Sequence, residues 1–95
     1  MKAYTGPVGN SYGQIRELRQ LLLATMGKTF RVLFISRGKN KPRDMRARLK
    51  RVSDITTDRW NYQATVWDIE KKAWRVIPLE RVVFFKCGDS RWVMP

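Results

Sequence analysis

The chain has 95 residues, enough for one domain with a modest core, and its 43% hydrophobic content belongs to a globular protein rather than a disordered one. It carries 20 Lys and Arg against 8 Asp and Glu, a net charge of +12 that stores self-repulsion on folding and points to a polyanionic partner. One cysteine, Cys87, and no histidine exclude an internal disulfide and the usual zinc spacings.

Gly6, Pro7 and Gly9 make residues 1–11 read as a flexible leader, with residues 12–95 as a single domain. The start, MKAYTGPVGNSYG, lacks the apolar run of a secretory signal, and the cluster Leu21 to Ala24 is far too short to span a bilayer. No membrane association is expected, and a reducing cytoplasm is the expected location. Ser11 with Gln14 three positions later forms a capping-box pattern. Ile15, Leu18, Leu22 and Met26 follow at spacings of three or four, with Leu21 beside them, so a helix is predicted over Tyr12 to Met26. Gly27 closes it.

Short strands are predicted after Gly27. In Thr29 to Arg37, Phe30, Val32, Phe34 and Ser36 share one face, and Arg31, Leu33 and Ile35 the other. Gly38 to Pro42 is a basic turn. Arg43 to Val52 is a second strand, and Ser53 to Asn61 a loop or distorted edge. Tyr62 to Ile69, Ala73 to Ile77 and Arg81 to Lys86 are further strands, and Arg91 to Met94 adds a short sixth. The fold class is α+β: an N-terminal helix packed on a small five- to six-stranded β-barrel.

The stretch Arg37 to Arg51 concentrates the charge. It holds eight of the 20 basic residues and one acid, Asp44. From Met45 to Lys50 apolar residues alternate with cations, and in a strand successive side chains point to opposite faces. Met45, Ala47 and Leu49 would face a core. Arg46, Arg48 and Lys50 would form a solvent-facing row with cations about 7 Å apart, two residues of rise. Lys39, Lys41 and Arg43 would extend the patch from the turn, and Arg51 continues it. The competing reading is an edge strand that uses charge to block aggregation. One or two lysines suffice for that, so the basic stretch favours a polyanion site.

The hairpin TFRVLFISRGKNKPRDMRARL and the block VWDIEKKAWRVIPLERV resemble two parts of a family of small proteins of tailed phages, described as WYL-like with an Sm-like (Src-homology-3-like) barrel. The resemblance covers Phe30 to Phe84. It implies an Sm-like barrel and, for a phage-encoded protein, the host cytoplasm. It implies little about function, because small barrels serve many partners. The turn GKNKP is longer and more basic than the Asp-Gly turn of that family, and Ile77-Pro78 replaces an aromatic and a basic residue.

Among the aromatics, Trp67 and Trp74 flank the Glu70–Lys72 turn. Base stacking beside Lys72 and Arg75 is one reading and core packing the other; Trp74 is assigned to the core. Trp60, between Arg59 and Asn61, is the better candidate for an exposed stacking residue. Asp68 is read as stabilising its turn rather than as a catalytic acid. With no histidine, no glycine-rich phosphate loop and no nucleophile beside a base, the expectation is a non-enzyme without cofactor or metal.

The leading functional expectation is non-catalytic binding of DNA or RNA with weak sequence selectivity. The alternative is a host-directed inhibitor that docks its basic face on an acidic patch of a polymerase, nuclease or nucleoid protein. Assembly into an oligomer is a third possibility.

Overall fold

In a computed structural model of the chain, residues 10–25, 27–36, 38–50, 55–58 and 61–93 are described. They form a small α+β domain: one helix, α1 (Tyr12–Ala24), and a seven-stranded antiparallel sheet of β1 (Phe30–Ile35), β2 (Pro42–Arg48), β3 (Ile55–Asp58), β4 (Asn61–Asp68), β5 (Ala73–Pro78), β6 (Val82–Cys87) and β7 (Ser90–Val93). A short 3-10 turn, Leu79–Arg81, links β5 to β6. No described helix is long and apolar enough to cross a membrane.

The helix begins where its caps dictate. The Ser11 Oγ accepts from the Gln14 backbone N–H at 3.3 Å, and the Gln14 side chain accepts from the Ser11 N–H at 2.7 Å, which satisfies two otherwise orphaned donors. At the other end the Thr25 hydroxyl donates to the Leu22 carbonyl at 2.7 Å, and Gly27 takes a φ of 81° that a side chain would resist. Ile15, Leu18 and Leu22 are buried on one face. Each contributes about 1.5–3 kcal/mol of transfer free energy on full burial.

Contacts with the domain are already made ahead of the helix. Asn10, within the stretch assigned above to a leader, is buried. Its amide donates to the carbonyls of Leu79 at 3.0 Å and Val82 at 2.9 Å, and its backbone N–H donates to Glu80. The chain entering α1 is thereby strapped to the 3-10 turn.

The strands run β5-β4-β2-β1-β6-β7, with β3 beside β4 on the same edge as β2. Helix, strands and 3-10 turn enclose one core, built from Leu18, Phe30, Val32, Val66, Ile77 and Phe85 among others. Ala47 and Ala64 are fully buried. No ladder joins β5 to β6 or β7 among the described residues, so the sheet is open. On β6, Val83 is an extra residue between the partners of Leu33 and Phe34, a bulge that increases local bending.

The strand count exceeds the expected five or six. The additional strand is β3, which falls inside the stretch read as a loop or distorted edge. Its sequence, ITTD, is β-branched at its first three positions and pairs residue for residue with Asn61 to Ala64. The second strand ends earlier than expected: the ladder stops at Arg48, with Leu49 buried and Lys50 exposed beyond it.

Candidate nucleic-acid interface

Alternation along β2 separates core from charge. Ala47 and Leu49 are buried and Met45 packs against the core, while Arg46, Arg48 and Lys50 are exposed. Cross-strand register extends this pattern far beyond the hairpin. Arg46 stands opposite Arg31 on β1, Arg31 opposite Lys86 on β6, and Lys86 opposite Arg91 on β7. Directly paired residues share a face of the sheet. Four cations from four strands therefore form one transverse row, about 14 Å long at the usual strand spacing. All four are exposed. Arg48 lies on the same face two residues from Arg46, and its Nε donates to the Thr29 hydroxyl at 3.4 Å.

A parallel row runs beside the cations: Leu33, Phe84 and Val93, in register across β1, β6 and β7. The Arg31 guanidinium carbon lies 6.0 Å from the centre of the Phe84 ring, a cation–π contact. Asp44 and Glu70 border the cationic row at its β2 end. Asp44 holds Arg31 through two hydrogen bonds of 3.0 and 2.6 Å. That bonding, aided by the positive charge of Arg31 and Arg46 and opposed by partial burial, holds the Asp44 carboxyl below its ordinary range, and Asp44 in turn raises Arg31. The pair's side chains are 59% and 48% exposed, so solvent screens it and its structural contribution is small.

The other side of β2 carries a different arrangement. Arg43 has the parity of Met45 and Ala47, not of Arg46 and Arg48, and so does not continue the row as expected. At the open end of the strand it lines a cleft of about 300 Å³ together with Asp44, Asp68, Glu70, Lys71 and Arg75. Asp68 is buried there. One of its carboxylate oxygens accepts the backbone N–H groups of Glu70 and Lys71, each at 3.1 Å, and the other lies 3.9 Å from Arg75. This is the turn-stabilising role expected of it.

Lys39 and Lys41 are exposed in a turn that is closed rather than loose. The Ser36 N–H donates to the Lys41 carbonyl, the Asn40 N–H donates back to Ser36, and Asn40 takes a φ of 51°. Arg81 reaches from the 3-10 turn to donate to the Ser36 carbonyl at 3.3 Å and the Asn40 side chain at 3.1 Å.

The chain matches no known protein family, no curated protein and no solved structure.

The remaining expected residues separate. Lys72 is exposed in the β4–β5 turn, with a φ of 53°, and Arg75 faces the cleft. Arg51 and Trp60 lie outside the described residues. Trp74, assigned to the core from sequence, is 51% exposed. It stands opposite Trp67 across the β4–β5 ladder, their ring centres 5.3 Å apart in an edge-to-face arrangement. Trp67 in turn stands opposite Arg48. Sequence reasoning missed Arg31, Lys86 and Arg91. Each sits at an outward position of an alternating strand, but what unites them is register between strands far apart in the chain.

Proposed function

We propose that this protein is a small, non-catalytic nucleic-acid-binding protein of tailed-phage type, built as an Sm-like variation on a bent antiparallel sheet. Its binding surface is the outward face of β2, β1, β6 and β7, with weak sequence selectivity. The fold reading draws support from the 3-10 connection between β5 and β6 and from the single core that both ends of the sheet enclose.

The observation that carries the functional reading is the row Arg46–Arg31–Lys86–Arg91. Like charges directly opposite one another destabilise a sheet. Edge protection does not account for the centre of the row, because β1 and β6, which carry Arg31 and Lys86, are each paired on both sides, while Arg91 alone sits on the edge strand β7. A charge arrangement that opposes folding, with its central cations away from any edge and, among the described residues, only Arg31 of the row bonded to an acid, fits a surface whose remaining counter-charge arrives with a ligand. A phosphate backbone supplies it without requiring base contacts, which favours binding that is insensitive to sequence.

The test is titration of labelled DNA and RNA of unrelated sequences at several salt concentrations. Neutralising about five phosphates gives a slope of log affinity on log salt near −4.5 on duplex DNA and near −3.5 on single strands. Charge reversal at Arg46 and Lys86 is expected to weaken every sequence alike. Affinity independent of salt overturns the mechanism, and no binding to any polymer at low salt turns the reading toward an acidic protein surface.

A further inference from the structure

We infer that the preferred ligand of this face is a single strand, with Trp74 as the platform on which a base stacks. The inference rests on the nucleic-acid reading above and narrows it. Three residues in one transverse line carry it: Arg48 on β2 stands opposite Trp67 on β4, and Trp67 opposite Trp74 on β5. Because paired residues share a face, this line lies on the same outward surface as the cationic row and meets it through Arg48, two residues from Arg46.

Trp74 is half exposed, although burying an indole is among the largest gains available to a small core. It is also held. Trp67 meets it edge to face, which fixes one side of the ring, and Val76, itself exposed, follows two residues on along the same strand face. A fixed aromatic ring beside a phosphate-binding row is what unstacked bases need: cations track the backbone, while the ring takes a base of any identity. In a duplex the bases are stacked on one another, so only its phosphates reach the row. The distance from Arg48 to Trp74 across two strand spacings is about 10 Å, near enough for one chain to engage both.

The experiment compares an oligothymidylate of about 16 nucleotides, at the upper end of common site sizes, with a mixed-sequence duplex of the same length, using the full chain at one salt concentration. The expected result is tighter binding of the single strand, with quenching of tryptophan fluorescence. Trp74→Ala should lower single-strand affinity about tenfold and change duplex affinity less than twofold, and Trp74→Phe should restore most of the loss. Equal affinity of the wild-type protein for the two polymers overturns the inference and leaves the nucleic-acid reading standing. So does an equal loss on both polymers in the alanine variant. Binding to neither polymer overturns that reading and this inference together. The wild-type comparison and the phenylalanine variant decide the matter even if the alanine variant fails to fold.

Discussion

Arg31 and Arg46 stand directly opposite each other across the β1–β2 ladder, and the acid that relieves their repulsion, Asp44, sits on the diagonal and bonds only one of them through its side chain. The face therefore carries a built-in competitor for incoming anions. A phosphate that engages Arg31 must share it with a carboxylate already in place.

Replacing that carboxylate changes the competition. Asp44→Asn is expected to tighten binding to nucleic acid and to steepen the dependence of log affinity on log salt by about one, as one more cation becomes available to release a counterion. Thermal stability should fall only slightly, because the ion pair is solvent-screened. Titrations at several salt concentrations, alongside melting curves, check both parts.

The same contact has a pH signature. Arg31 lowers the Asp44 pKa in the folded state from its ordinary 3.8, chiefly by hydrogen bonding. A lowered folded-state value means that the pair's stabilisation is fully present above the unfolded value and is lost as pH falls through the folded one. In carbon NMR the Asp44 carboxyl should titrate below 3.8 in the wild type and return toward that value in Arg31→Gln. A midpoint unmoved by the substitution would contradict the assignment.

Much of this architecture was legible in the chain. Ser11 and Gln14 mark the helix start because the capping box is a local pattern, and the alternation from Met45 to Lys50 separates core from charge because strand parity is local too. Three features were not. Arg43 obeys the same parity, but its side of the strand opens at the strand's end, so an inward position there meets a cleft and not a core. From sequence, Trp74 is assigned to the core because the resembled block retains a tryptophan there; only its place on the outward face of β5 shows otherwise. The row that joins Arg31, Lys86 and Arg91 to Arg46 depends on which strands lie side by side, and no local pattern encodes that.

Asn10 tests how the helix is held. Its amide serves two carbonyls at the 3-10 turn from a buried position. Asn10→Ala leaves both without that donor and should cost about 2–3 kcal/mol in urea unfolding. Asn10→Asp should cost at least as much, since a carboxylate facing two carbonyls cannot donate to either.

Arg81 tests how the basic turn is held. Arg81→Ala removes both of its donations to Ser36 and Asn40. Faster amide exchange at Asn40 and Lys41 is expected, with little change in the β1–β2 ladder itself. Asn40→Gly suits the positive φ at that position but deletes the side-chain acceptor of Arg81, so it should loosen the turn in the same direction as Arg81→Ala, though less.

One strand, β4, is shared three ways: along one edge it pairs with β5, and along the other first with β3 and then with β2. Its junction with β2 consists of Ala47 opposite Asp68 and Arg48 opposite Trp67, reinforced by the Ile69 N–H donating to the Arg46 carbonyl at 3.1 Å. The sheet is thus two leaves joined along a short seam. The cationic row lies on one leaf, and the tryptophan pair on the other. A strand of nucleic acid lying from Arg91 to Trp74 would cross that seam, so its binding energy would also resist separation of the leaves. The seam should then open least in the complex, and the protein's slowest unfolding should coincide with full occupancy of its ligand.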